Sequence, residues 1–192
     1  MSLPPTPGQT VGPFFGMALP YPHSHELVEP GTPDAVRIHG VVVDGHRQPV
    51  PDALIEIWQA DPAGDVVRQP GSIQRDGTFT GWGRAATDAE GRYWFRTLEP
   101  GPTDSGRPAF FAVTVFARGL LDRLFTRAYL PRDQAALAAD PLLSSLEPDR
   151  RSTLLARREA DGSLRFDVVL QGDGETVFLA HGPTQDRDDV GA

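Results

Sequence analysis

Residues 107–119 read RPAFFAVTVFARG, and Phe110, Phe111, Val113, Val115 and Phe116 make this an aromatic and β-branched run suited to a strand rather than a helix. Apolar residues occupy odd and even positions alike, so both faces of the run are expected to be buried, with the strand central in a sandwich. A strand held in that way could present a side chain rigidly enough for chemistry. Phenylalanine, alanine, valine and threonine are the residues on offer, and none is a usual metal ligand or general base.

The rest of the chain is consistent with one such sandwich. Its 192 residues suffice for a single substantial core. Nineteen prolines and twenty glycines alongside ten phenylalanines and three tryptophans describe short elements joined by punctuated turns, an all-β composition. Residues 1–35 carry too many prolines for a helix and read as an extended arm. Phe14, Phe15 and Tyr21 within it argue that the arm lies against a folded surface.

Residues 36–180 read as the sandwich domain. Strands are expected at 36–43, ending in an Asp44-Gly45 turn, and at 53–58, 92–97, 110–116 and 123–131. Further strands are expected at 164–170, the cleanest alternation in the chain, and in the GETVFLA segment. Residues 64–83 have no sustained periodicity and read as a long excursion. Only 133–139 and 148–158 look helical, giving one or two short helices. Seven or so strands with turns between them point to a β-sandwich. Residues 181–192 read as an acidic, disordered tail.

Composition also narrows the functional classes. With no cysteine there is no disulfide framework and no thiolate chemistry. No apolar run approaches the roughly 20 residues of a membrane helix, and no secretory signal is visible, so a cytoplasmic home is expected. A net charge of −8 argues against a nucleic-acid partner. The one basic cluster, Arg150, Arg151, Arg157 and Arg158, reads as a solvated helix face or an ion-pairing seam. His23 and His25 could share a metal if they stood on a strand, but Pro20, Pro22 and Pro30 disfavour one. Glu56 beside Trp58 lacks a partner for acid–base work, and Asp61, Asp65, Asp88 and Glu90 read as turn acids rather than calcium ligands.

Four blocks then occur in a telling order: VPDALIEIWQADPAG, GWGRAATDAEGRYWFRTLEPGP, RPAFFAVTVFARG and FTRAYLP. Together they resemble the intradiol ring-cleaving dioxygenases, over residues 6–179. The phrases TPGQTVGPFF, FARG and QGDGETVFLA look like the noncatalytic α subunits of the family's two-subunit members. The resemblance implies an intradiol-type sandwich, transthyretin- and immunoglobulin-like. It also implies an Fe(III) cofactor held by two tyrosines and two histidines of a partner β subunit and not by this chain. Position by position, those ligands correspond here to Val66, Thr103, Phe110 and Ala112, so a vestigial site is expected and the chain alone should be inactive. Tyr93 is no substitute, because it falls inside the preceding strand block.

Arg107 matches an arginine beside the family's iron, and Arg127 lies in the strand block that follows, so both are counted with the vestigial site. The resemblance further implies that Thr10, Gly12 and Pro13 help to line the β subunit's pocket and that Arg118 approaches its mouth, where a guanidinium suits an anionic catechol. Higher (αβ)n assembly is expected with it. Two other classes compete: a transthyretin-like binding module, for which the shared blocks have no reason, and a self-sufficient catechol dioxygenase, which requires the four missing ligands.

Overall fold

The computed structural model describes residues 15–67 and 78–180. Thr10, Gly12, Pro13 and residues 181–192 therefore lie outside the described residues. Among the described residues nine strands form: β1 Ala35–Val43, β2 Leu54–Trp58, β3 Trp82–Ala86, β4 Arg92–Leu98, β5 Phe110–Phe116, β6 Leu124–Tyr129, β7 Arg157–Arg158, β8 Leu164–Arg165 and β9 Val168–Val169. One sheet runs β3-β2-β5-β6, antiparallel throughout. The other runs β4-β1-β8-β7, with β9 also paired to β1. In that second sheet β1 lies antiparallel to β4 and parallel to β8 and β9.

Alternation explains the core. Val36, Ile38 and Val42 of β1 and Tyr93 and Phe95 of β4 point inward from one sheet; Ile55 and Ile57 of β2 and Phe111, Val113 and Val115 of β5 point inward from the other. Each fully buried large side chain among them is worth about 1.5–3 kcal/mol of burial. The expectation that both faces of β5 are buried needs correcting. Phe111, Val113 and Val115 are buried, whereas Phe110, Ala112, Thr114 and Phe116, on the other side of the pleat, are only partly covered. Phe110 and Ala112, expected at ligand positions, thus stand on the sheet's outer face, away from the main core.

Several other expectations shift. The β3 strand lies inside and just beyond the expected excursion; its WGRAA sequence lacks β-branched residues, because small ones are needed there. A Cβ on Gly83 would come within 2.4 Å of Leu27 Cδ1 and 3.1 Å of the Phe95 ring. The single strand expected over 164–170 is interrupted into β8 and β9. Phe166 O passes where a Cβ on Gly40 would sit, 1.8 Å away, and accepts the Tyr93 hydroxyl at 2.5 Å, while Val41 N donates to the Asp167 carboxylate at 3.0 Å instead of to a backbone carbonyl. The GETVFLA segment makes no strand. It is tied at single points, Thr176 N to Val169 O and Leu179 N to Phe125 O.

The arm is not extended throughout, since Phe15–Ala18 forms a helical turn, α1, whose Phe15 packs on Phe116 of the outer face. Further along, Tyr21 lies over Trp82 and Leu27 enters the core. Three more short helices follow: α2 Gln134–Ala139, α3 Pro141–Ser144 and α4 Pro148–Ser152. Asp133 caps α2 and Asp140 caps α3 through backbone N–H groups. The helical run expected over 148–158 ends early, so Arg157 and Arg158 are on a strand. Leu137, Leu143 and Leu154 from this region join Tyr129 and Phe110 in a second small core. No helix among the described residues is long and apolar enough to cross a membrane.

Two turns at one end of the sandwich are locked together. Asp61 O accepts from both Gly64 N and Gly101 N, and Asp61 Oδ1 accepts from Ala63 N and Asp65 N. A Cβ on Gly64 would lie 2.2 Å from Pro102 O, and one on Gly101 would lie 2.4 Å from Pro62 O. Gly64 also has φ +97°, a left-handed conformation that glycine alone adopts freely. Gly31 is left-handed too, at φ +86°, but has nothing within 4 Å of its missing Cβ. Gly64→Ala should therefore destabilise the chain by about 3 kcal/mol and Gly31→Ala by about 1 kcal/mol, as read by urea denaturation. Equal losses would show that the two turns are not in forced contact.

Candidate functional site

The locked turns and the start of β5 border a half-open cavity of about 190 Å³ on the outer face of the four-stranded sheet. Val66 follows the first turn and Thr103 the second, while Phe110 and Ala112 project from β5; all four line this cavity. Among the described residues, Trp58, Gln59, Ala60, Gly101, Pro108 and Ala109 also line it. By register Ala112 stands between Trp58 on β2 and Arg127 on β6. Trp58 is 46% and Val66 49% exposed, so they form the rim.

Two polar side chains near the cavity, Gln59 and Arg127, are turned to other tasks. Gln59 Nε2 donates to Ala60 O at 3.1 Å and Leu98 O at 2.8 Å, and its Oε1 accepts from the Thr97 hydroxyl at 2.5 Å. Arg127 lies 4.2 Å over the Phe110 ring and donates to the Tyr129 hydroxyl at 3.1 Å. That hydroxyl donates in turn to Asp140 Oδ1 at 3.2 Å. Burial pushes the Tyr129 phenol above its usual range, against the opposing pull of Arg127, so it remains a donor. Arg107 reaches within 4.0 Å of Asp140 Oδ2 from a half-exposed position. Arg107 and Arg127 thus meet around Tyr129 and Asp140, beside the cavity and not in its lining.

Iron does not fit this donor set. Valine, phenylalanine and alanine offer no lone pair, and Thr103 offers only an alcohol. Among the described residues no group of three or more His, Cys, Asp or Glu side chains could hold a metal.

The other singled-out residues have local partners. His23 Nδ1 lies 2.7 Å from Glu26, and His25 packs edge-on against Trp94 with ring centroids 4.2 Å apart, so the two imidazoles do not converge on a metal. Glu56 accepts from Arg84 Nε at 2.8 Å across neighbouring strands. The Asp61 and Asp88 carboxylates accept turn N–H groups, and Glu90 lies 3.7 Å from Arg92. The basic cluster is divided between α4 and β7: Arg150 and Arg151 bond backbone carbonyls, and Arg157 and Arg158 pair with Glu159 and Glu99. Arg118 lies outside the cavity, with Nε 2.7 Å from Asp52 Oδ2 and its side chain 73% exposed. Tyr93 is in the main core, its phenol held far above the ordinary range by burial and by the charge of Asp167.

Sequence reasoning did not pick out Trp58 or Gln59 as lining residues. The strand alternation that set Trp58 on the face of Glu56 was the available signal, but the β2–β5 register that brings it to Ala112 is a long-range property.

Comparison with known proteins gives a consistent outcome. The Dioxygenase family model matches residues 11–172. The protocatechuate 3,4-dioxygenase alpha chain of Burkholderia cepacia is 38% identical over 91% of this chain and 96% of its own length. The alpha chain of the same enzyme from Pseudomonas putida is 35% identical over 92% and 96%. The beta chain from Burkholderia cepacia is 33% identical over 83% and 77%. Among solved structures, the dioxygenase domain of a carbohydrate-binding fusion protein from Streptomyces sp. SirexAA-E superimposes with a TM-score of 0.53 at 28% identity, covering 88% of this chain and 99% of that one. With the sandwich, the match across most of the chain and these relatives in hand, the chain belongs to the intradiol ring-cleavage dioxygenase family.

Proposed function

We propose that this chain is the metal-free α subunit of a protocatechuate 3,4-dioxygenase. It pairs with an iron-bearing β subunit in an (αβ)n enzyme of the cytoplasm. The reaction is intradiol cleavage of protocatechuate, 3,4-dihydroxybenzoate, by O2 to 3-carboxy-cis,cis-muconate. Both oxygen atoms enter the product, in the catabolism of aromatic compounds through the β-ketoadipate pathway. The family uses non-haem Fe(III), which in this reading is bound by the β subunit alone.

One observation carries the proposal. The four positions that correspond to the family's iron ligands surround a single cavity, and Val66, Thr103, Phe110 and Ala112 leave it without a ligand set. Similarity to alpha chains along nine-tenths of the sequence supports the same reading. The chain's role is then to scaffold the complex and to complete the partner's pocket through Thr10, Gly12, Pro13 and Arg118. Expressed alone, it should be colourless, hold no stoichiometric iron and consume no oxygen with protocatechuate; co-expressed with its β chain it should support turnover. A tyrosinate-to-iron band in the visible from the lone chain would overturn the assignment. Deleting residues 1–13 should lower turnover of the αβ enzyme far more than it lowers this subunit's thermal stability, and equal losses would count against the arm's role.

Arg118 tests the electrostatic part. Its guanidinium is shared with Asp52 and largely solvated, so its pull on an anionic substrate is on the order of 1 kcal/mol. In the αβ enzyme, Arg118→Ala should raise KM for protocatechuate several-fold with kcat unchanged, and the effect should fade with salt. Asp52→Asn, which releases the guanidinium, should lower KM. An unchanged kcat/KM for Arg118→Ala at low salt would remove Arg118 from the substrate's path.

A further inference from the structure

We infer that Phe15 is a positioning residue for the partner's pocket: its ring docks the arm on the end of β5 and so fixes where the segment holding Thr10, Gly12 and Pro13 leaves this subunit. The inference rests on the pocket-lining role proposed above for that segment and names the side chain through which the role is exerted.

Burial is the first argument. Phe15 is only 7% exposed and packs on the Phe116 ring with centroids 6.4 Å apart and a tilt of 32°, inside the range of attractive ring pairs. Among the described residues it joins neither of the two hydrophobic cores. Its buried apolar area therefore holds the arm to the outer face of one sheet and does not hold the two sheets to each other.

Rigidity is the second. Leu19 N donates to Phe15 O and closes α1. Leu19 O accepts from Arg84 Nη1 at 2.8 Å, and Arg84 is tied in turn to Glu56 on the neighbouring strand. Farther on, Ser24 O accepts from Arg84 N and Leu27 N donates to Arg96 O. The arm is thus stitched to β3 and then to β4, and among the described residues Phe15 on β5 is the foremost of these holds. Pro13 follows from it by two peptide units of about 3.8 Å each, so covalent geometry alone keeps it close to this anchor.

Location is the third. A Cβ on Gly16 would come to 3.6 Å from Asp52 O, an ordinary contact, so α1 also rests on the residue whose carboxylate holds Arg118. Arg118 stands two residues beyond Phe116. Arm and guanidinium, the two contributions proposed for the partner's pocket, therefore issue from one small area where the start of β2 meets the end of β5.

A truncation cycle in the αβ enzyme, with protocatechuate as substrate, provides the test. Phe15→Ala in the full-length chain should lower kcat/KM several-fold while this subunit's Tm stays nearly unchanged, because neither core loses a side chain. Phe15→Leu keeps the apolar bulk and should recover most of the loss. Placed in the chain that lacks residues 1–13, Phe15→Ala should have almost no further effect, since nothing remains to be positioned. Phe116→Ala removes the other ring of the contact, should behave alike, and serves as the second variant if Phe15→Ala does not assemble. An unchanged kcat/KM in both full-length variants, or an equal loss with and without residues 1–13, would overturn the positioning role and leave the arm's place in the pocket standing. Full turnover by the truncated enzyme itself would overturn the arm's place in the pocket, and this inference with it.

Discussion

Two backbone turns approach so closely that neither Gly64 nor Gly101 can carry a side chain, and the candidate site depends on that contact. Pro102 O and Pro62 O occupy the places where the two Cβ atoms would be, and Asp61 O gathers an N–H from each turn. This holds the segment after β2 and the segment after β4 over the start of β5, so that Val66 and Thr103 face Phe110 and Ala112 across one small cavity. The glycines act by permitting backbone to meet backbone, a stiffer arrangement than any pair of flexible side chains could supply.

That scaffold is independent of the chemistry hung on it. In the proposed account the framework that presents four ligand positions persists, while the side chains at those positions have become apolar. The neighbouring network persists as well: Arg127 stacks on Phe110 and donates to Tyr129, whose hydroxyl reaches Asp140, the cap of α3. Those groups bind the small outer core to the sheet, which gives Arg127 and Asp140 a structural reason to remain. Phenylalanine at 110 contributes to the same core, packing on Tyr129 with ring centroids 5.5 Å apart.

Much of the fold was legible in the sequence because it follows from nearest-neighbour alternation. The strands over β1, β2, β4, β5 and β6 show period-2 or continuous apolar runs bounded by turns, and each forms close to its expected limits. What was not legible depends on contacts distant in the chain. WGRAA is a strand because it pairs with β2, and Gly83 must be small because Leu27 and Phe95 crowd it. The alternation over 164–170 promised one strand, but Asp167 and Tyr93 take over ladder positions opposite β1. Residues 148–158 looked helical until Arg157 and Arg158 paired with β8. For the site, the four ligand positions came from the order of blocks in a family resemblance. Their meeting at one cavity, with Trp58 and Gln59 beside them, required the register of β2 on β5 and the two locked turns.

If the cavity is, as proposed, an iron pocket deprived only of its ligands, restoring them together as Val66→Tyr, Thr103→Tyr, Phe110→His and Ala112→His in the full chain should give one equivalent of bound iron and a tyrosinate-to-iron charge-transfer band in the visible spectrum after loading with Fe(III). A variant that keeps the parent's circular dichroism yet takes up no iron would contradict it.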